Sequence, residues 1–435
     1  MRSRLQVSPR LARWLYSLTI YLLSPLIWWQ VWREWAPTHP RRERLGFISI
    51  IGDRPRLWLH AASVGEVVTA TPLIRALLDD HPDHDLVITT MTATGAERVR
   101  QTFGERVSHH FLPLDFPGSA RRFIKRLDPR LAIIAETELW PNLLEVCRQR
   151  NVPVVVANGR LSAGAFRLYQ RFGALSRGML ETIAWIGAKS TVDSERFLAL
   201  GALPSRVAVT GALKFDLDVD EATREASRRL RESWGERPVW IAGSTHPGED
   251  EQVLAAHAFL KRRFPEALLI LVPRHPQRFD EVNAYCLEVG EQVRRLSAGP
   301  TLTATTTLLL GDTMGDLMTL YGCADVAFVG GSLVPIGGHN LLEPAALGVA
   351  VVSGPYLDNL REIADTLAQS DTRVEVEDGQ ALGEALVALL SDDERRHRLG
   401  EAGRAVVAAN RGALVRTRRA ISAQLAATTE SDSRD

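Results

Sequence analysis

The sequence predicts an α/β protein with two successive domains, each a parallel β-sheet wrapped by helices. Short apolar runs recur along the chain, and each is followed by a segment with helical periodicity, which is the pattern of a parallel sheet. This pattern stops at a highly charged stretch near residues 216–236 and then restarts. At 435 residues the chain is also longer than a single hydrophobic core usually supports.

The predicted strands fall into two series. The first series is RLWLHAA, DLVITT, HHFLPLD, LAIIAETE, VPVVVANG, AWIGAKS and VAVTG. The second series is PVWIAGST, ALLILVPRHP, TTTLLLGD, DVAFVGG, VAVVSGP and TRVEVED. We therefore predict Rossmann-like domains at 47–215 and 237–423, joined by a linker at 216–236 and followed by a disordered tail at 424–435.

The bulk composition argues against several kinds of function. Lys plus Arg and Asp plus Glu both number 52, so no net charge draws the whole protein to nucleic acid. The three cysteines, Cys147, Cys286 and Cys323, form no CxxC pair, which argues against a disulfide framework or a structural zinc site. A reducing compartment and no nucleic-acid partner are expected.

Residues 1–46 differ from the rest of the chain. The run WLYSLTIYLLSPLIWWQVW at 14–32 has no charge, and arginines lie on both sides of it, including Arg13 and Arg44. The run is just long enough for a spanning helix of about 20 residues, whereas Pro25 and the tryptophans favour a shallow or re-entrant position. A buried core helix is the alternative. We predict a membrane-anchor helix, with the body of the protein on the cytoplasmic face.

Polar residues follow the first predicted strand, at the end of the strand where open α/β sheets bind ligands. The segment HAASVGE places Ser63, Gly65 and Glu66 at the beginning of a helix. Taken alone, Glu66 is explained by the helix dipole, which favours a carboxylate at this end. A kink or a restart of the helix is expected at Pro72.

Charged residues also follow two later strands of the first series. The segment AETELWPN places Glu136 and Glu138 two residues apart, so we expect them to point to opposite faces while both stay near a ligand site. One would be a ligand contact and the other a solvated edge charge. Lys214, in TGALKFD, closes the last strand of the first domain, where a lone lysine is usually a surface residue.

The second domain carries cations at a strand end. Arg274 and His275 directly follow the apolar run in ALLILVPRHP, and such cations indicate a phosphate or carboxylate partner. In GSTHPGEDE, Ser244 and Thr245 precede a helix with an acidic first turn, and helix capping explains these residues.

Two glycine-containing turns precede helices in the second domain. GDTMGDL contributes Gly315 and Asp316 before a helix whose free N–H groups can contact an anion. The longer loop GGSLVPIGGHNLLEP contributes Ser332, Gly337, Gly338, His339 and Asn340. Its glycines let the backbone approach a phosphate, Asn340 can cap the next helix, and Glu343 lies within reach of a ribose. An ordinary glycine-rich turn is the alternative.

Together these motifs resemble those of one enzyme family. The motifs that carry the resemblance are HAASVGE, ETELWPN, NGRLS, LKFD, GSTHPGE, VPRHPQRF, GDTMGDL and GGSLVPIGGHNLLEP. The chain resembles the 3-deoxy-D-manno-octulosonic acid (Kdo) transferases of Gram-negative lipopolysaccharide assembly from the N-terminal segment to the last helix. The resemblance implies the GT-B glycosyltransferase architecture, CMP-Kdo as donor, the lipid A precursor lipid IVA as acceptor, and the bacterial inner membrane as location.

The resemblance also implies roles for individual residues. Glu66 matches the general base, which takes the proton of the acceptor's 6′-hydroxyl, and Glu136 and Lys214 match positions that support the transition state. The positions that match CMP-binding segments are Arg274, His275, Gly315, Asp316, Leu317, Asn340, Leu341, Leu342 and Glu343. The chain departs from the usual family pattern at Gly159, Ala212 and Leu341, where alanine, asparagine and proline are usual.

Inversion by direct displacement requires one base and no covalent intermediate, so no nucleophile triad is expected. We also expect no metal or other cofactor, because Arg274, Lys214 and helix N-termini can neutralise the leaving phosphate. The D-x-D-x-D run formed by Asp216, Asp218 and Asp220 lies in the charged linker, and we interpret it as solvated charge rather than as a metal site. Two interpretations compete with a transferase. A sugar-nucleotide epimerase would act on nucleotide sugar alone, and a non-catalytic membrane scaffold would tolerate Glu66→Gln.

Overall fold

The computed structural model describes residues 8–33, 41–50, 52–217 and 219–432. These residues form two compact α/β units, each with its own parallel sheet. The prediction of two α/β domains with parallel sheets is therefore confirmed.

Unit 1 contains the described residues of Met1–Asp216 and Arg411–Asp435, and its sheet has seven parallel strands. The strands are β1 (Arg56–His60), β2 (Asp85–Thr90), β3 (Ser108–Phe111), β4 (Pro129–Ala135), β5 (Val154–Gly159), β6 (Trp185–Ala188) and β7 (Val207–Val209). Their spatial order is β3-β2-β1-β4-β5-β6-β7. The order reverses direction between β1 and β4, and such a switch point forms a crevice at the carboxyl ends of the strands.

The first two described helices of unit 1 precede β1, and the next seven connect consecutive strands of the sheet. They are α1 (Pro9–Leu22), α2 (Ser24–Arg33), α3 (Val64–Asp80), α4 (Ala93–Phe103), α5 (Pro117–Leu127), α6 (Pro141–Gln149), α7 (Ala163–Arg171), α8 (Gly173–Thr182) and α9 (Thr191–Ala199). Successive residues of β1 enter different cores, because side chains alternate across a strand. Trp58 packs edge-on against Phe123 of α5, whereas Leu57 and Leu59 belong to a separate cluster.

Unit 2 is Leu217–Asn410 and also has seven parallel strands. The strands are β8 (Val239–Thr245), β9 (Leu268–Pro273), β10 (Val293–Arg295), β11 (Leu308–Leu310), β12 (Val326–Val329), β13 (Ala350–Ser353) and β14 (Arg373–Glu375). Their order is β10-β11-β9-β8-β12-β13-β14, which places the switch point between β8 and β12. The central strands are buried on both faces, which explains their nearly continuous apolar sequences.

The later helices are counted in chain order across both units. They are α10 (Glu221–Glu232), α11 (Asp250–Lys261), α12 (Phe279–Glu288), α13 (Leu317–Gly322), α14 (Leu342–Leu347), α15 (Arg361–Gln369), α16 (Gly379–Leu390), α17 (Asp393–Asn410) and α18 (Ala413–Asp432). The last of these, α18, belongs to unit 1.

The N-terminal apolar segment differs from the predicted membrane-anchor helix. It forms two helices, because α1 ends at Leu22 and α2 begins at Ser24. Pro25 lies in the first turn of α2, where its missing N–H needs no partner. Within the described ranges, no helix is both long enough and apolar enough to cross a membrane.

The basic flank that the sequence assigned to the anchor belongs partly to the folded body. Glu43 and Arg44 are both buried, and the Arg44 guanidinium donates to the carbonyl groups of Met91 and Leu112. Arg44, which the sequence assigns to the basic flank, is therefore part of the folded body. Its charge is satisfied inside unit 1.

The structure divides the chain differently from the predicted domain boundaries in three places. The second α/β unit ends at Asn410 rather than at residue 423. Part of the predicted linker is α10, whose Ser227 hydroxyl donates to the Thr319 carbonyl of α13 at 2.9 Å. The predicted disordered tail is helical as far as Asp432, and Ile421 of the same helix is buried in the core of unit 1.

Two aspartates of the D-x-D-x-D run bind backbone groups. Asp216 accepts hydrogen bonds from the N–H groups of Gly412 and Leu414, each at 2.6 Å, at the beginning of α18. Asp220 caps α10 by accepting from the Thr223 N–H at 2.7 Å. Their interpretation as solvated charges is wrong for Asp216, and Asp218 lies outside the described residues.

Candidate active site

Glu66 lies in the first turn of α3, at the crevice beside β1. Its carboxylate accepts hydrogen bonds from the Ala62 N–H at 2.8 Å and from the Ser63 hydroxyl at 3.1 Å. The Ser63 oxygen accepts in turn from the Glu66 N–H at 3.4 Å, which completes a capping arrangement. Gly65 is exposed beside them, and α3 continues through Pro72 without the expected restart. The first turn of α3 therefore holds Glu66 in a fixed orientation.

The electrostatic environment of Glu66 suits a group that accepts a proton near neutral pH. The pKa of Glu66 is raised to about 7, mainly by burial and also by the nearby carboxylates of Glu136 and Glu138. The Ala62 N–H and the Ser63 hydroxyl act in the opposite direction. A general base is most effective when its pKa is close to the working pH, so this is a catalytically useful value.

Glu136 and Glu138 do not alternate across a strand as predicted. Strand β4 ends at Ala135, and Glu136 adopts a φ of 56° while its N–H donates to the Ala157 carbonyl at 2.9 Å. Because the chain leaves the extended conformation at Glu136, the two-residue alternation no longer applies. Both carboxylates instead raise the pKa of Glu66, so three acidic side chains interact at this crevice.

Lys214 follows β7 and lies in the 3-10 turn Leu213–Phe215. Both neighbours are buried, so the turn is fixed while Lys214 itself is half-buried. The Leu213 N–H donates to the side-chain oxygen of Asn158 at 3.2 Å. Asn158, at the end of β5, is buried and has a φ of 56°. The side chain of Asn158 thus supports this turn, although residue 212 is alanine where asparagine is usual in the family.

The corresponding crevice of unit 2 begins with the residues after β8 and β9. The Arg274 N–H donates to the Thr245 carbonyl at 3.0 Å, which fixes the backbone while the side chain of Arg274 stays exposed. The Thr245 hydroxyl donates to Asp250 at 2.7 Å, and Asp250 also pairs with Arg278. Ser244 is buried with a φ of 61°. Thr245 and Ser244 therefore hold the turn instead of capping α11.

Three imidazole rings lie close together in this crevice. The Nε2 atoms of His246 and His339 are 2.8 Å apart, and the two rings are nearly parallel with centroids 5.0 Å apart. The ring of His275 meets that of His246 edge-on at 5.3 Å. Burial lowers the pKa of His339 to about 4 and also lowers that of His246, and Arg274 contributes to both shifts. The stacked pair is therefore neutral at pH 7.

The glycine-rich loop after β12 does not have free N–H groups at its beginning. The N–H groups of Gly331, Ser332 and Leu333 all donate to the carboxylate of Glu249. The Ser332 hydroxyl donates to the Val329 carbonyl and accepts from the Gly354 N–H at 2.9 Å. Ser332 is fully buried, and its hydroxyl group is bound within the protein.

The second half of the same loop matches the prediction more closely. Gly337 and Gly338 have φ values of 101° and 79°, which favour glycine. The Asn340 oxygen accepts from the Leu342 N–H at 3.1 Å, so Asn340 caps α14 as predicted, and its amide donates to Glu343 at 3.2 Å. Burial raises the pKa of Glu343, whereas Asn340 and Arg274 lower it. Leu341, like Leu342, is fully buried and offers no side chain to a ligand.

The turn before α13 is the last predicted element of the donor site in unit 2. Gly315 and Asp316 are both exposed, and Gly315 has a φ of 99°. Leu317 begins α13, and the Asp316 side chain forms no capping hydrogen bond. Across the described parts of the chain, no group of three or more His, Cys, Asp or Glu residues is arranged to hold a metal ion.

Sequence reasoning missed three residues of these crevices. Glu249 was assigned to the acidic first turn of α11, although its carboxylate binds a loop more than 80 residues away. The sequence alone predicts no role for His246, in GSTHPGEDE, or for Asn158, in NGRLS. His246 directly follows β8, Glu249 lies in the turn between β8 and α11, and Asn158 is the next-to-last residue of β5. The signal that these polar residues share is their place near the carboxyl end of a buried strand.

Comparison with known proteins agrees with this geometry. Residues 39–217 match the sequence profile of the 3-deoxy-D-manno-octulosonic-acid transferases (kdotransferases), and residues 236–406 match that of the glycosyl transferases group 1. A putative UDP-N-acetylglucosamine 2-epimerase from Listeria monocytogenes, with 11% identity, a TM-score of 0.51 and coverage of 87% of this chain and 98% of its own, shares the fold. The two units and their profiles thus define a glycosyltransferase with the GT-B-like fold.

Two curated relatives are more specific. The 3-deoxy-D-manno-octulosonic acid transferase of Haemophilus influenzae is 42% identical over 412 residues, which cover 93% of this chain and 96% of that protein. The enzyme of the same name from Bordetella pertussis is 35% identical, with coverage of 94% and 98%. The chain belongs to the 3-deoxy-D-manno-octulosonic acid (Kdo) transferase family.

Proposed function

We propose that this enzyme transfers Kdo from CMP-Kdo to the 6′-hydroxyl of a tetraacylated lipid A precursor, lipid IVA. This reaction is the first Kdo step, or steps, of lipopolysaccharide core assembly. The observation that carries the proposal is Glu66, a carboxyl group with a pKa of about 7 at the switch point of unit 1. The identity of the transferred sugar is inferred from the family relationship, and the type of reaction is inferred from the presence of a general base.

The proposed reaction is a direct displacement at the anomeric carbon of Kdo, with inversion. The hydroxyl oxygen of the acceptor forms the new bond to this carbon, and its proton passes to the Glu66 carboxylate. The bond from the carbon to the CMP phosphate breaks, and CMP leaves with the bonding electron pair. One base is sufficient for this reaction, and no covalent intermediate forms.

Two other side chains of unit 1 are assigned to the charges that develop during the reaction. The anomeric carbon gains positive character and the departing phosphate gains negative charge. We assign Glu136 to the cationic carbon and Lys214 to the anionic phosphate. The buried neighbours of Lys214 and its support by Asn158 provide the rigid orientation that such stabilisation needs.

The donor is assigned to the crevice of unit 2. Arg274 provides an exposed guanidinium group at the end of β9, which suits the CMP phosphate. The carboxyl group of Glu343, oriented by Asn340, suits the ribose hydroxyls. The imidazole groups of His275 and His339, together with the exposed turn at 315–316, complete the proposed donor site.

The test is a transfer assay with the full chain, CMP-Kdo generated in the assay, and lipid IVA. We expect a product heavier than lipid IVA by one or more Kdo units, and the mass gives the number of transfers. Absence of product with this acceptor would contradict the proposal. Turnover of the sugar nucleotide without an acceptor would instead favour the epimerase interpretation.

We also propose that the enzyme binds the surface of the bacterial inner membrane from the cytoplasmic side. Helix α1 packs on unit 1 through polar contacts, in which Ser17 donates to Asn142 at 3.0 Å and Tyr16 hydrogen-bonds Asp115. Large apolar side chains are exposed on α1 and α2, at Leu11, Trp14, Leu15, Leu18, Leu22, Leu26, Trp29 and Trp32. A contiguous exposed set of this kind is typical of a membrane or protein contact.

The charged residues near α2 favour a lipid surface as the partner. The Arg33 guanidinium lies over Trp29 at 4.7 Å, and that of Arg41 lies over Trp32 at 4.0 Å. Tryptophan together with arginine is the combination found at the boundary between lipid headgroups and acyl chains. Anionic phospholipid would therefore bind both the apolar and the cationic parts of this surface.

A double variant in which both Trp29 and Trp32 are changed to serine should bind vesicles of phosphatidylethanolamine and phosphatidylglycerol at least about tenfold more weakly than the wild type. Co-sedimentation measures this directly. The control variant Val415→Ser removes another exposed apolar side chain of unit 1 and should bind as the wild type does. Equal binding of all three proteins would disprove the assignment of α2 to the membrane surface.

A further inference from the structure

Glu249 precedes α11 and is completely buried, yet its carboxylate contacts two separate loops. One oxygen accepts from the N–H of His246 at 2.9 Å and from that of Gly331 at 2.7 Å. The other accepts from the N–H groups of Ser332 at 3.0 Å and Leu333 at 2.9 Å. A single side chain thus uses four backbone donors.

The position of this carboxylate in the sheet is significant. His246 follows β8 and Gly331 follows β12, the two strands that flank the switch point of unit 2. N–H groups at such a point commonly bind the anionic part of a ligand. Here three consecutive N–H groups bind a carboxylate of the protein itself, and a side chain in place of Gly330 would collide with the Ser244 carbonyl at 2.6 Å. The two loops are therefore closely packed around an internal anion.

The two loops joined by Glu249 carry the stacked histidines. The carbonyl of Gly331 accepts from the Gly338 N–H at 2.8 Å, and the carbonyl of Gly330 accepts from the His339 N–H at 3.2 Å. The position of His339 thus depends on residues 330–333, three of which donate to Glu249. The backbone N–H of His246 donates to Glu249 directly. The 2.8 Å contact between the two Nε2 atoms requires both loops to be correctly placed.

We propose that Glu249 is a positioning residue for donor binding, which acts by joining the two loops so that His246 and His339 form a pair beside Arg274. The inference rests on the proposed function for the identity of the ligand, a cytidine monophosphate group. Glu249 does not touch the donor. It fixes the imidazole groups that face the nucleotide.

The test uses Glu249→Gln in the full chain, with CMP as the probe. Glutamine keeps the shape, but its NH2 group cannot accept the two N–H groups that one carboxylate oxygen binds. We expect CMP to bind about 10- to 100-fold more weakly by calorimetry, because hydrogen bonds to charged groups are strong. In the transfer assay the KM for CMP-Kdo should rise by a similar factor while kcat stays within about threefold.

Three further variants separate positioning from general stability. Glu251→Gln, on the exposed first turn of α11, should bind CMP as the wild type does. Glu249→Asp keeps the charge and should recover part of the affinity, which also provides a measurement if Glu249→Gln does not fold. His339→Asn should weaken CMP binding, and the double variant with Glu249→Gln should bind no more than about threefold more weakly than the weaker single variant.

The outcomes distinguish this inference from the proposed function. CMP affinity unchanged in folded Glu249→Gln, or losses that simply multiply in the double variant, would overturn the role of Glu249. Should only Glu249→Asp fold, wild-type affinity and KM in that variant would overturn it equally. A wild-type chain that binds CMP but forms no Kdo product contradicts the proposed acceptor reaction alone. A wild-type chain that does not bind CMP contradicts the donor assignment, and this inference with it.

Discussion

Replacing Glu66 with glutamine is expected to lower the rate of Kdo transfer by about 10²- to 10⁴-fold, the usual contribution of a general base. Glutamine has nearly the same shape and can still accept the Ala62 N–H, but it cannot take a proton from the acceptor hydroxyl. Product mass and initial rate measure the loss. CMP affinity should not change, because Glu66 is assigned to the acceptor hydroxyl and not to the CMP group.

The pH dependence of the wild type provides a second measurement of the same assignment. The carboxylate is the active form, and burial together with Glu136 and Glu138 raises the pKa of Glu66 to about 7. The rate should therefore rise with pH up to about 7 and then level off. A rate that is independent of pH across this transition would contradict the assignment, as would an active Glu66→Gln variant.

The same raised pKa predicts an effect of Glu66 on stability. The folded protein holds the Glu66 proton more tightly than the unfolded chain does, so this stabilising contribution is complete below the ordinary pKa of 4.5. It is lost as the pH rises through about 7. Glutamine imitates the protonated group at every pH, so Glu66→Gln should melt at a higher temperature than the wild type at pH 8. The control variant Glu97→Gln changes an exposed glutamate of the same unit, and it should alter neither the transfer rate nor the melting temperature at pH 8.

The sequence was sufficient to predict the sheets, because buried parallel strands are short, apolar and separated by helices. It also located the ends of strands at which polar residues lie, including Glu66 and Arg274. The rule that ligands bind at the carboxyl ends of strands connects these positions without any knowledge of side-chain contacts. Local patterns of this kind are reliable because one strand and its next turn are adjacent in the chain.

Contacts between distant parts of the chain could not be predicted in this way. The packing of α18 on unit 1 depends on Ile421 and on the hydrogen bonds from Gly412 and Leu414 to Asp216. Nothing in the local composition of residues 424–435 indicates that the helix containing them packs in the core of unit 1. Glu249 is a similar case, because a carboxylate at the beginning of a helix is fully explained by capping until the distant loop is known.

Arg274→Met is expected to weaken CMP binding by about 10- to 100-fold, since a guanidinium group forms strong charge-assisted hydrogen bonds with phosphate. Methionine keeps part of the apolar stem and removes the charge. Binding of cytidine, which lacks the phosphate, should change by less than about twofold. Calorimetry with both ligands therefore locates the contact at the phosphate. Arg262→Met, at the exposed end of α11, removes a charge elsewhere on unit 2 and should leave both affinities unchanged.

The pH dependence of this loss should reveal whether His339 takes over part of the charge. Burial, followed by Arg274, holds the pKa of His339 down to about 4 in the wild type. Removing Arg274 removes one of the causes that lower this pKa, so the pKa of His339 moves upward, and the resulting gain of positive charge is greater at pH 6 than at pH 8. CMP affinity should therefore fall more at pH 8 than at pH 6. If Arg274→Met binds CMP as tightly as the wild type at both pH values, the phosphate must be held by other residues.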